Sequence, residues 1–124
     1  MRARFDVASW RAAFWTVGAL RDVRRGLVEN RVADVRVSQP PPLPARAIAG
    51  VEGVLSRRPN TCLMRALVLQ SWYRGQGDPR DVVIGVTAPR AGFRAHAWIE
   101  GEAPCHEENF VELTRWGSVA PESR

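Results

Sequence analysis

The apolar segment that ends at Gly75 constrains the fold more than any other part of this 124-residue chain. Asn60 and Thr61 are residues that cap helix N-termini, and glycine is typical of a helix end, so the pattern predicts a helix from Cys62 to Arg74. Apolar side chains cover more than half of its circumference, whereas a surface helix shows a single apolar stripe. We therefore predict a central, buried helix.

Two further helices are predicted before this one. Large apolar side chains recur every three or four positions in residues 7–29, which indicates an amphipathic helix with Asp6 as its cap. Gly18 and Gly26 each favour a break in that helix, because glycine is a poor helix former. Residues 43–58 show the same helical spacing and are predicted to form the second helix.

After the central helix the sequence pattern changes to that of strands. A β-branched run at 81–88 and a clean alternation at 92–100 predict two strands. Residues 101–102 are predicted to form a turn and 103–107 a third strand, and 109–116 are predicted to end the fold with one or two helical turns. Helices followed by an antiparallel meander predict an α+β fold: N-terminal helices followed by a small antiparallel sheet.

The chain length favours a single domain of 1–124. Three consecutive prolines in the segment 39–44 cannot continue a helix and predict an extended connection. This connection divides the chain into a helical part, 1–38, and a core, 45–116. Neither part is long enough to fold alone, so we expect the connection to lie within one domain.

The composition limits the classes of function. All 18 basic residues are Arg and the formal net charge is +5, which favours an acidic partner. The arginines are scattered and no basic run is interleaved with aromatic residues, so nucleic acid is not expected as a partner.

No stretch of apolar residues reaches the length of a membrane span. The N-terminal apolar segment is interrupted by Arg11 and lacks a cleavage site, so we expect a cytoplasmic protein with two free thiols, Cys62 and Cys105.

Cys62 and His96 are the residues with the strongest chemical signal. A cysteine in the first turn of a helix lies where the helix field favours a thiolate. A histidine on the polar face of a strand is a candidate base for it. Each residue also has a structural interpretation, since cysteine packs as a small apolar side chain and most strand histidines are simply hydrogen-bonded. His106 is an alternative to His96, and we interpret Cys105 as a packing residue.

A resemblance to a known family strengthens the catalytic interpretation. The sequence CLMRA at residues 62–66, IGV at 84–86 and FRAHAWIE at 93–100 resembles the transglutaminase-like leader peptidases of lasso-peptide biosynthesis. The similarity covers about residues 43–113. It implies a minimal transglutaminase-like, papain-like core and a cysteine endopeptidase that removes the leader from a ribosomally made precursor peptide.

The resemblance also implies site residues. Cys62 matches the nucleophile of that family and His96 the base. The third residue of the family is usually an Asp beyond the His, but this chain has no Asp after Asp81 and offers Glu107 or Glu108 instead. Glu107 is preferred, because it falls on the predicted strand that returns from the turn.

Three further residues are predicted at the site. The Asn60 side chain, with the backbone N–H of Cys62, is predicted to stabilise the oxyanion. Arg94 and Trp98 share a strand face with His96 and are predicted to contact the substrate.

Three alternatives remain open: a transglutaminase-like amide transferase, a catalytically silent binding or adaptor domain of the same fold, and, more weakly, a basic nucleic-acid-binding domain.

The expected partners follow from the resemblance. They are the precursor peptide, a separate protein that recognises its leader, and the lasso cyclase. The chain lacks a phosphate-binding GxxxxGK[ST] motif, so ATP is assigned to the cyclase and no cofactor or metal is expected here. If the aromatic residues Trp10, Phe14 and Trp15 are exposed, we expect them to dock the recognition protein. If they are buried, they belong to the core.

Overall fold

The computed structural model of the chain describes residues 6–29, 35–86, 95–102 and 111–117. These residues form three helices and three strands, which confirms the predicted α+β class. A short 3-10 helix, Ala45–Ala47, precedes the second α-helix. The elements are α1 (Val7–Glu29), α2 (Ile48–Arg57), α3 (Cys62–Gly75), β1 (Val82–Val86), β2 (Ala95–Ile99) and β3 (Val111–Trp116).

The first helix has the predicted bounds and the predicted cap. The Asp6 carboxylate accepts a hydrogen bond from the N–H of Ser9 at 2.9 Å. The predicted break at Gly18 or Gly26 was wrong, since α1 continues through both residues. Gly26 has a packing role there, because a Cβ atom at this position would lie 2.9 Å from Cγ1 of Val35.

Small residues, rather than the aromatic ones, form the buried face of α1. Trp10 and Phe14 are 56% and 76% exposed. Trp15 is half-buried and its ring lies 5.8 Å from that of Trp72, so only this one of the three aromatic residues packs on the core. The buried positions of the helix are Ser9, Ala12, Ala13, Thr16, Ala19, Leu20, Val23 and Gly26.

The second helix begins later than predicted. Pro44 is extended, with φ −61° and ψ 154°, and the chain then makes the 3-10 helix before α2 starts at Ile48. The helix packs closely on α1 at Gly50. A Cβ atom at this position would overlap the backbone carbonyl of Ser9, so the close approach of the two helices requires glycine.

The third helix is central and buried, as predicted. Trp72, Leu69 and Val68 are each at most 2% exposed and belong to the main hydrophobic cluster. The helix is also hydrogen-bonded to the sheet. The amide nitrogen of Gln70 donates to the carbonyl oxygens of Arg80 and Trp116, each at 3.0 Å, so α3 is bonded to the chain at one end of the sheet.

The sheet is antiparallel, with the strand order β2-β1-β3. The register pairs Ile84 with Ala97 of β2 and Val82 with Trp116 of β3. One prediction was therefore wrong, since residues 111–116 form a strand rather than helical turns. Among the described strands, β1 lies between the other two. The predicted strand at 103–107 lies outside the described residues.

The turn after β2 was predicted correctly. Gly101 has a φ of +95°, a backbone conformation that glycine adopts without strain. The N–H of Glu102 donates to the carbonyl oxygen of Ile99 at 3.0 Å and closes the turn.

The proline-rich connection is extended, and hydrogen bonds join it to Gln76 at the end of α3. The side-chain oxygen of Gln76 accepts from the N–H of Leu43 at 3.1 Å, and its nitrogen donates to the carbonyl of Pro41 at 3.2 Å.

Residues of α1, α2, α3, β1 and β2 share one hydrophobic cluster. The division into 1–38, 39–44 and 45–116 stays a prediction. No helix among the described residues is long and apolar enough to cross a membrane.

The contact between α1 and α2 predicts opposite effects for two Gly→Ala substitutions. Gly50→Ala places a methyl group against a backbone atom, and we expect the free energy of unfolding to fall by about 1–3 kcal/mol. Gly18→Ala, where nothing lies within 4 Å, is expected to raise it by about 0.5–1 kcal/mol. Urea unfolding followed by circular dichroism measures both. Equal stability of the two variants would contradict the close packing at Gly50.

Candidate active site

Cys62 is the first residue of α3, and its position depends on the cap before it. The Thr61 hydroxyl accepts a hydrogen bond from the N–H of Met64 at 3.1 Å, as expected of an N-cap residue. The carbonyl of Thr61 accepts from the N–H of Arg65 at 2.9 Å and starts the helix. Cys62 is an exposed free thiol. The cysteine therefore lies at the end of the helix where backbone N–H groups lack helical partners.

The strand β2, which is at the edge of the described sheet, packs against this end of α3. Ala97 and Ile99 face the core and are 5% and 0% exposed. The backbone N–H of Ala97 donates to Sγ of Cys62, with 3.4 Å between nitrogen and sulfur. Because β2 is at the edge of the described sheet, one side of this strand is open to such a contact.

His96 precedes Ala97 and lies on the opposite face of the strand, as predicted from the alternation. Only two covalent bonds, of about 1.5 and 1.3 Å, separate the Ala97 nitrogen from Cα of His96. The Cys62 sulfur therefore lies within about 6 Å of that Cα. The imidazole is half-buried and stacks on the ring of Trp98, with 5.9 Å between centroids and an interplanar angle of 20°.

The other predicted site residues have different positions. Asn60 donates its side-chain nitrogen to the carbonyls of Leu55 and Arg58, each at 2.7 Å. These bonds brace the turn between α2 and α3, and the contact of Asn60 with an oxyanion stays a prediction. Trp98 lies beside His96, as predicted. Arg94, Glu107 and the alternative Glu108 lie outside the described residues.

One residue near the site had no role in the sequence predictions. Arg65 lies one turn after Cys62 and donates to Glu102 at 2.8 Å and to Glu52 at 3.2 Å. The hydrogen bond to Glu102 is the main cause of a raised pKa for Arg65, which keeps the guanidinium charged. The two bonds connect α3 with α2 and with the turn that follows β2. Arg65 is the one charged residue among the first eight of the helix, and this is the signal that could have indicated its role.

The described side chains show no arrangement for metal chemistry. Among residues 6–29, 35–86, 95–102 and 111–117, no three His, Cys, Asp or Glu side chains are grouped to hold an ion. The arrangement that is present, a thiol at a helix N-terminus with a histidine on the adjoining strand, is of the kind used in nucleophilic catalysis.

Arg65 is expected to stabilise the junction between α3 and β2. Arg65→Met leaves the Glu102 carboxylate, whose side chain is 31% exposed, without its cation. We expect the free energy of unfolding to fall by about 1–2 kcal/mol, between the values for surface and buried pairs. The matched control is Arg46→Met, which removes a more exposed pair with Asp6 and is expected to have a much smaller effect. A similar effect of both substitutions in urea unfolding would contradict the role of Arg65.

Comparison with known proteins gives one match. The family model described as "Transglutaminase-like superfamily" matches residues 7–115, which include α1 as well as Cys62 and His96. The searches of curated proteins and of solved structures found no match.

Proposed function

The chain belongs to the transglutaminase-like superfamily, and on this premise we propose that it is a cysteine endopeptidase that removes the leader from a ribosomally made precursor peptide of the lasso type. The observation that carries the proposal is the hydrogen bond from the Ala97 N–H to Sγ of Cys62, at 3.4 Å, next to His96. This bond supports the proposal because the sulfur then lies within about 6 Å of the Cα atom of His96. The lasso assignment is supported by the sequence motifs around residues 62–66 and 93–100.

The proposed reaction begins with proton transfer from Cys62 to His96. A histidine side chain is long enough to reach a sulfur within about 6 Å of its own Cα and to form a hydrogen bond there. The backbone N–H of Ala97 is directed at the same sulfur and is placed to stabilise a thiolate. The thiolate then attacks the carbonyl carbon of the peptide bond at the end of the leader.

The two later steps complete hydrolysis. The carbonyl oxygen takes the negative charge, and the backbone N–H of Cys62 at the start of α3 is proposed to stabilise it. The imidazolium gives its proton to the departing amine, which becomes the new N-terminus of the core peptide. Water, deprotonated by His96, then attacks the thioester, and the leader leaves as a carboxylic acid while Cys62 regains its proton.

Glu107 is proposed to orient the imidazole, in place of the usual Asp. A carboxylate on the far ring nitrogen selects the tautomer that accepts the proton from sulfur. The lasso cyclase and a separate leader-recognition protein are proposed partners, and Arg94 and Trp98 are proposed substrate contacts. We place the reaction in the cytoplasm, where thiols stay reduced.

Substitution of either reacting residue is expected to abolish leader release. We expect Cys62→Ala and His96→Ala each to lower the rate of cleavage by at least about 1,000-fold, because the two groups act as a unit. The chain supplies matched controls in its other cysteine and its other histidine: Cys105→Ala and His106→Ala are expected to cleave at rates close to the wild type. The measurement is leader release, followed by mass spectrometry, from the precursor peptide with its recognition protein.

Two results would contradict this mechanism. One is unchanged cleavage by Cys62→Ala, and the other is a larger loss in His106→Ala than in His96→Ala. Added primary amine separates hydrolysis from amide transfer, since a transferase would yield the amine adduct of the leader as its main product.

The role of Glu107 is tested by replacing each of the two candidate glutamates. We expect Glu107→Gln to lower the rate of cleavage by at least about tenfold while cleavage remains measurable, because the amide no longer stabilises the imidazolium. Glu108→Gln is the matched control and is expected to have little effect. The reverse result would assign the role to Glu108, and two unaffected rates would remove the third residue from the mechanism.

A further inference from the structure

Two of the three aromatic side chains of α1 lie on the surface, beside α2. Trp10 and Phe14 are one helical turn apart and 56% and 76% exposed. With neighbouring side chains they line a groove between the two helices, here called the α1–α2 groove. It is lined by Trp10, Phe14 and Val17 from α1 and by Val54, Arg57 and Arg58 at the end of α2. Exposed apolar patches of this kind mark sites of interaction.

The size of the groove suits one large apolar side chain. Its volume is about 200 Å³, whereas a cavity of about 150 Å³ suffices to hold benzene. The groove is open to solvent, so a side chain of another polypeptide can enter it from the surface.

The end of the groove near α3 is positively charged. Arg57 and Arg58 are exposed, and no carboxylate among the described residues lies within ion-pair distance of either guanidinium. Glu52, on the same helix, is engaged by Arg65 at 3.2 Å. An occupant with acidic residues next to its apolar side chain therefore complements this groove.

The charged end of the groove is also close to Cys62. Three residues lie between Arg58 and Cys62, so four Cα–Cα steps of about 3.8 Å keep their Cα atoms at most about 15 Å apart. The turn between them is fixed by the bonds from Asn60 to the carbonyls of Arg58 and Leu55. An extended peptide of about five residues spans this distance. A single peptide can therefore occupy the groove and present a bond to the sulfur.

We propose that the α1–α2 groove binds the peptide substrate itself, through a segment that carries a large apolar side chain next to acidic residues and lies outside the bond that is cut. This rests on the proposed function. The groove supplies affinity that is the same in the ground state and the transition state, so it lowers KM rather than raising kcat.

Binding is tested first without any cleavage. The probe is a fluorescein-labelled peptide of glutamates with one central leucine, and its counterparts carry lysine for glutamate or serine for the leucine. The protein is the full chain with Cys62→Ala, and fluorescence anisotropy gives Kd. We expect Phe14→Ser, and the pair Arg57→Ser with Arg58→Ser, each to raise Kd by at least about tenfold. The matched controls on α1, Val28→Ser and Arg25→Ser, are expected to change Kd by less than about twofold.

Two binding results would overturn the proposal. One is equal affinity for the glutamate and the lysine peptides, and the other is equal affinity of the groove variants and their controls. Raised salt is expected to weaken binding of the glutamate peptide, because the arginines are solvent-exposed.

The second arm uses the precursor peptide and the protein with native Cys62. We expect the Arg57→Ser, Arg58→Ser variant to raise KM by about tenfold with kcat unchanged, whether or not the recognition protein is present. An effect seen only when the recognition protein is added would make the groove a docking site for that protein and overturn the proposal. Groove-dependent binding without cleavage by any variant would instead overturn the peptidase assignment and leave the groove as a site for acidic peptides.

Discussion

The contact between the first turn of α3 and the strand β2 determines the geometry of the candidate site. Ala97 and Ile99 are buried against the core, and the N–H of Ala97 reaches the sulfur of Cys62. Because the side chains of a strand alternate, burial of these two residues fixes His96 and Trp98 on the other face. A shift of β2 by one residue would reverse this arrangement. Core packing and the placement of the imidazole are thus set by the same register.

Hydrogen bonds and ion pairs made by side chains of α3 reinforce that contact. Gln70 bonds the carbonyls of Arg80 and Trp116, while Arg65 bonds Glu102 and Glu52 near the nucleophile end. Hydrophobic burial is non-directional, so it favours packing of helix on sheet without specifying their relative rotation. The hydrogen bonds and ion pairs have preferred directions and restrict that rotation. The site is therefore positioned by a few polar side chains on a mainly apolar helix.

The sequence predicted elements with strong local signals and failed where tertiary contacts decide. The cap at Thr61 and the alternation around His96 are local, and both were confirmed. Residues 111–116 combine Glu, Leu and Arg, which favour helix locally, but pairing with β1 makes them a strand. The position of β1 between its neighbours depends on long-range pairing in the same way. Sequence reasoning predicted Cys62 at the start of α3 and His96 on a strand. It did not predict the bracing role of Asn60, whose partners are backbone carbonyls that no pattern reveals.

Every basic side chain of this protein is a guanidinium group, including the two at the end of the α1–α2 groove. A guanidinium does not lose its proton at any pH at which proteins are folded. Arg57 and Arg58 bring two of these groups to the end of the groove. Acidification of the medium would therefore act on this contact by neutralising carboxylates of the ligand. A bound carboxylate beside a guanidinium has a lowered pKa, so the ligand would dissociate in a pH range below the pKa values of free Asp and Glu.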